Sequence, residues 1–255
     1  MALRAALVLG VLTLVLPGSA RPNRPGDGDS ARSSFRALAR SGLALYCGGR
    51  HGRYVALTFD DGPGPYTAPV LRILARAGAR ATFFVVGSRV AARPGLVARE
   101  ALLGTVGNHT WDHPFLSRLG RRAVVGELLR TQAAVVRATG MRPLFFRPPY
   151  GIGTPAETAA VRALGIVDVR WSVDSGDSRP GATTGSVVRT VLEGLRPGAI
   201  VLMHDAHPWT IAALPRILRA VRRRGLEPVT IPELVALDPP SHLQLFPVRP
   251  SGRCP

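Results

Sequence analysis

The chain has 255 residues, 46% of them hydrophobic, which suits one large α/β domain or two small ones with a full core. Its formal net charge of +17 is carried by arginine without a single lysine, and favours an anionic partner such as a charged wall polymer. The arginines are scattered, with neither a dense basic run nor interleaved aromatics, so nucleic acid is not the expected partner.

Residues 1–20 read as a signal peptide. Arg4 is followed by an apolar run over 5–16, broken only by Gly10 and Thr13, and then by the small residues Pro17-Gly18-Ser19-Ala20. About a dozen apolar residues are short for a membrane span, which needs roughly 20. The protein is therefore expected to be secreted or cell-wall associated, without stable membrane insertion, and to be a monomer. Residues 21–46 begin rich in Arg, Ser, Pro, Gly and Asp and read as a flexible linker. The two cysteines, Cys47 and Cys254, bracket the domain expected over 47–238 and are expected to pair in an oxidising compartment. Closing so long a loop contributes on the order of 4–5 kcal/mol in the chain-entropy model.

Within that domain, Tyr54-Val55-Ala56-Leu57 reads as a buried strand that runs into Thr58-Phe59-Asp60-Asp61-Gly62-Pro63. Two carboxylates sit where the strand ends, and Gly62-Pro63 turns the chain. Neighbouring side chains on a strand point different ways, so Asp60 and Asp61 are expected to divide the work, one on a metal and one on the substrate. Taken alone, the run is equally well a plain turn.

Helical spacing follows over 67–77, a strand over 81–86, a helix over 94–103 and a short strand at Thr105-Val106. A helix over 117–139, with Ser117 as a cap, precedes a strand over 144–146 and a helix opened by Thr154-Pro155. The remainder alternates a strand over 166–173, a helix over 184–195, a strand over 199–203, a helix over 209–224 and a strand over 228–231. Such alternation implies parallel pairing with helices outside. Seven βα units predict a closed or nearly closed barrel, with its chemistry at the strands' C-terminal ends. Residues 239–255 read as a proline-rich tail over the surface.

The strand ends carry the reactive side chains. His109 and His113 are four apart and share one side if the residues between them make a helical turn. With Asp61 they make three ligands for a divalent transition metal such as zinc, leaving positions open for water and substrate; Asp112 is a weaker competitor. After Phe146, Arg147 needs an acidic partner, for which Asp60 is the natural candidate. Pro148-Pro149 supply no N–H, so the Tyr150 amide is the first free donor for an oxyanion. His204, at the end of an apolar strand with an Asp from the neighbouring strand end, suits a protonated general acid.

Together these segments resemble the polysaccharide deacetylases of the NodB-homology type, carbohydrate esterase family 4. The family's five motifs stand in order at residues 58–63, 109–113, 147–150, 174–178 and 202–204. The resemblance implies a distorted (β/α)7 barrel and metal-dependent removal of acetyl groups from an acetylated polysaccharide of cell wall or chitin type. By motif position it implies Asp60 as base and Asp61, His109 and His113 as ligands of a divalent ion, zinc first, with cobalt or manganese as alternatives. Arg147 would orient Asp60, the Tyr150 amide would hold the oxyanion, and His204 would be the acid, tuned by Asp177. Leu202 would line the acetyl pocket. Ser178 departs from the family's usual Trp and loosens one wall of the site, which Trp171 or Trp209 could fill. An O-deacetylase of acetylated xylan and a non-catalytic wall-binding protein are the rival readings.

Overall fold

The computed structural model describes residues 35–241 and residue 245. Its strands are β1 (Tyr54–Gly62), β2 (Ala81–Val85), β3 (Gly104–Asn108), β4 (Phe145–Phe146), β5 (Val167–Asp168), β6 (Val173–Asp174), β7 (Ile200–His204) and β8 (Glu227–Val229). They form one sheet in the order β5-β4-β3-β2-β1-β7-β6, with β8 paired to the start of β1. Every pairing between these strands is parallel. Parallel pairing needs crossover connections, so helices cover the outside and all strands finish on one rim. The sheet curls into the expected distorted barrel.

The crossovers are α1 (Thr67–Ala77), α2 (Gly87–Ala92), α3 (Pro94–Leu103), α4 (Arg121–Thr139), α5 (Pro155–Leu164), α6 (Thr184–Gly194), α7 (Pro208–Arg223) and α8 (Ile231–Leu237). Spacing explains their seating. In α1 the buried residues Thr67, Val70, Leu71 and Leu74 form one stripe, and Gly78, at φ 59°, ends the helix by donating to the Leu74 and Ala75 carbonyls. In α7 Thr210, Ala213, Leu214, Ile217, Leu218 and Val221 do the same. β1 lies mid-sheet between β2 and β7, and Val55, Ala56 and Leu57 are fully buried there. Phe59 stacks on Phe83 of β2 at 5.7 Å.

Three expectations change. The run over 166–173 splits into β5 and β6: past Asp168 the backbone pairs with Leu45, the Arg170 amide donating to the Leu45 carbonyl, while the Arg170 side chain turns to Asp168 and Glu157. The linker expected over 21–46 stops early. Residues 35–41 are helical with Leu38 and Ala39 buried, Leu45 bridges Val169, and Cys47 bridges Ala199, so this segment seams the two ends of the sheet. The helix over 117–139 starts at Arg121 with Gly120 as its cap, after a 3-10 turn over Leu116–Arg118, so Ser117 is not the cap. The signal peptide, Cys254 and nearly all of the tail lie outside the described residues.

Candidate active site

Register brings the motifs together. Asp60 pairs with His204 across β1 and β7, Val85 with Asn108 across β2 and β3, and Asn108 with Phe146 across β3 and β4. Asp60, His109, Arg147 and His204 therefore stand on one rim.

Strict alternation would send Asp60 and Asp61 to opposite faces of the sheet. The ladder instead steps from Asp60 opposite Phe84 to Gly62 opposite Val85, leaving Asp61 bulged at φ 69°. A bulge re-aims a side chain. Both carboxylates now face one imidazole: His109 Nε2 lies 3.9 Å from Asp60 Oδ2 and 3.6 Å from Asp61 Oδ1. His113 Nε2 is 3.2 Å from the same Asp61 oxygen.

The histidine pair does not meet through a helical turn, as the spacing suggested. Residues 109–113 form a bend in which Thr110 (φ 67°) and His113 (φ 57°) are left-handed. Asn108 fastens the bend by donating to the Leu128 carbonyl and accepting from the Thr110 amide. Glu127 on α4 fastens it further, its Oε2 accepting from the Trp111 and Asp112 amides at 2.8 and 3.0 Å. Asp112 itself is exposed and stays outside the donor cluster.

Asp61, His109 and His113 offer ligand atoms that all lie within 4.8 Å of one another. Their protonation suits a cation. His109 Nδ1 lies 2.7 Å from the Arg147 carbonyl, which can only accept, so Nδ1 carries a hydrogen and Nε2 is the ring nitrogen that faces Asp61. Burial and His109 hold His113 below the ordinary imidazole value, hence neutral at pH 7. Burial opposes ionisation of Asp61, yet the imidazoles of His109, His204 and His113 hold it below the usual carboxylate range. Two imidazoles and a carboxylate turned inward on one point fit a divalent metal.

On one flank stands Arg147, fully buried. Nη1 donates to Asp60 Oδ1 and Thr58 Oγ1, each at 2.7 Å, while Nε and Nη2 donate to the Val169 and Arg170 carbonyls. Its guanidinium lies over the Phe84 ring at 4.2 Å. On the other flank, His204 Nδ1 is 2.7 Å from Asp177 Oδ1, and Asp177 Oδ2 accepts from the His204 amide and the Thr210 hydroxyl. Burial disfavours a charged His204, but the hydrogen bond and charge of Asp177, aided by Asp60 and Asp61, outweigh it and raise the imidazole to about 9. His204 is thus a proton donor at neutral pH.

Tyr150, at φ 61°, turns over the mouth of the site, stacked on Phe115 at 3.9 Å and edge-on to His113 at 4.7 Å. The Gly151 and Ile152 amides make this turn's hydrogen bonds, so the Tyr150 N–H stays outside them. Leu202 is buried on β7 beside Asp174. Trp171 packs close to Gly151 and sits 5.7 Å from Arg147. Trp209 is the aromatic next to Ser178, donating to the Asp177 carbonyl at 2.7 Å. Sequence reasoning gave no role to Thr58, Arg89 (a donor to the Asp61 carbonyl), Glu127 or Thr210. Arg89, Glu127 and Thr210 lie on helices, where nothing in the pattern separates them from ordinary surface positions.

Residues 48–169 match the family model described as polysaccharide deacetylase. A chitooligosaccharide deacetylase of Bradyrhizobium is 40% identical over 200 residues, covering 71% of this chain and 90% of that protein. The chain belongs to the polysaccharide deacetylase family. A peptidoglycan-N-acetylglucosamine deacetylase of Listeria monocytogenes is 44% identical over 71% of this chain, which spans only 38% of that longer relative. Among solved structures, a family 4 carbohydrate esterase from Streptomyces lividans in complex with acetate has a TM-score of 0.67 at 38% identity, over 73% of this chain and 95% of that one. A family 4 pseudoenzyme from Bacillus anthracis has a TM-score of 0.72 at 27% identity, over 78% and 70% of the two chains.

Proposed function

We propose that this chain is a secreted, metal-dependent hydrolase that removes N-acetyl groups from N-acetylglucosamine-containing glycans, peptidoglycan or chitin oligosaccharides. The observation that carries the reading is the convergence on one rim of three metal-type donors with an Arg147-held carboxylate on one side and an Asp177-held imidazolium on the other.

Amide hydrolysis needs an activated water, a home for negative charge on the carbonyl oxygen, and a proton for the departing amine. A divalent ion held by Asp61, His109 and His113, zinc by the chemistry of that set with cobalt or manganese as substitutes, supplies Lewis acidity and a water of lowered pKa. Asp60, fixed by Arg147, accepts the proton of the attacking water. The Tyr150 N–H donates to the developing oxyanion, and Leu202 meets the acetyl methyl. His204 then protonates the leaving amine, and Asp177 stabilises its charge until it does. Trp171 remains a candidate wall of the sugar cleft.

The relatives named for N-acetylglucosamine and chitooligosaccharides favour nitrogen over oxygen as the leaving atom. The distinguishing experiment measures acetate released from peptidoglycan, chitin oligomers and acetylxylan, before and after chelation and zinc return. Release from acetylxylan alone overturns the N-deacetylase reading, and no release from any substrate favours a non-catalytic member. Export and a Cys47–Cys254 bridge belong to the same proposal, since Cys47 is fully buried at the seam.

A further inference from the structure

Behind the turn that carries Asp61 lie two carboxyl groups that the chemistry above does not use. Glu100 on α3 is fully buried, and Asp205, which follows His204, is 1% exposed. Among the described residues neither oxygen of Glu100 accepts a hydrogen bond, and Asp205 Oδ1 accepts none. Glu100 Oε1 and Asp205 Oδ1 both face Gly62. A Cβ built on Gly62 would lie 3.2 Å from Glu100 Oε1 and 3.1 and 3.4 Å from the two Asp205 oxygens. The remaining oxygen, Asp205 Oδ2, accepts from the Thr67 hydroxyl, which in turn accepts from the Gly64 amide at 2.7 Å.

Two anions in a dry interior with no donor between them are untenable, whereas a protonated carboxyl beside an ionised one supplies the missing donor. We infer that Glu100 and Asp205 share one proton across the back of Gly62, and that this pair is a positioning clamp fixing the Asp61 turn relative to His204. Asp205 is tied to the turn at Gly64 through Thr67, its carboxyl lies alongside Gly62, and it is one peptide away from His204. Glu100 closes the clamp from the helix side.

The surroundings place the proton. Burial and the charge of Asp205 push Glu100 well above the ordinary carboxylate range. Asp205, raised by burial to about 6, faces the Thr67 hydroxyl, Asp61, Arg89 and His204 and is the member that ionises. Glu100, with no donor on either oxygen among the described residues, holds the proton, since Asp205 has the Thr67 hydroxyl. A bound cation in the same space is the competing account, and it requires the opposite protonation state of Glu100.

The test uses the full chain and two substitutions. The clamp rests on the metal site proposed above, so zinc affinity of the parent protein is measured first and checks that reading separately. An infrared difference spectrum of parent minus Glu100→Gln at pH 7 should contain a carboxylic-acid carbonyl band. Zinc affinity by calorimetry should stay within about threefold in Glu100→Gln, whose amide still donates to Asp205. It should fall by at least about tenfold in Glu100→Met, which cannot donate. A difference spectrum with carboxylate bands alone overturns the shared proton, as does a Glu100→Gln protein as weak for zinc as Glu100→Met. Should Glu100→Met not fold, the infrared comparison still decides.

Discussion

A completely buried guanidinium is tolerated only if its charge and donors are matched, and Arg147 achieves this with one carboxylate, one hydroxyl and two carbonyls. The arrangement fixes Asp60 without engaging Oδ2, the oxygen on the His109 side. Asp60→Asn should keep zinc and lose at least about a hundredfold in deacetylation rate, whereas His109→Ala should lose the zinc itself. Metal analysis beside the assay checks both, and near-normal turnover in Asp60→Asn would remove Asp60 as the base. In the proposed mechanism His204 sets the alkaline limb. An acid raised to about 9 is protonated at neutral pH, so the rate should hold through pH 8 and decline as pH passes about 9. The linkage has the same sign: this ion pair's stabilisation is complete below the ordinary value of 6.5 and is lost as pH rises through about 9. Asp177→Asn should shift the limb toward neutrality. These residues were legible because each motif is contiguous and sits at a strand end. Glu100 and Glu127 were not, because a carboxylate on a helix reads as solvated until the fold shows what it meets.

At the scale of elements, the histidine bend shows how a helix can serve a loop. Glu127 lies well past His113 in sequence, but α4 returns it beneath the bend to accept two amides. Glu127→Ala should weaken zinc binding about 10–100-fold while leaving the far-ultraviolet circular dichroism unchanged. The strands and most helices were readable from apolar periodicity, since a parallel strand buried on both faces gives an unbroken run. The break between β5 and β6 was hidden, because the pairing past Asp168 is taken up by Leu45, a residue far away in sequence. The bulge at Asp61 was equally hidden. It depends on how Gly62 aligns with Val85, a relation between strands that no single segment encodes.

For the whole molecule, the proposed ion joins ligands from β1 and from the bend after β3, so its removal should loosen the barrel rim. Calorimetry should record a lower melting temperature on chelation, restored by zinc. At free zinc a thousandfold above the dissociation constant, the difference is about 4 kcal/mol. A second fastening is the segment over residues 45–47, which closes the seam of the sheet.

The four non-glycine residues with left-handed backbones among the described residues are Asp61, Thr110, His113 and Tyr150, all at the mouth of the site. Each holds a posture that costs an ordinary L-residue about 1–2 kcal/mol and glycine almost nothing. Metal-free His113→Gly should accordingly unfold at higher urea than the parent, though it could not assemble the ion's full complement of donors. Breeding this protein for heat tolerance alone would erase its chemistry first and leave a sturdier, inert shell.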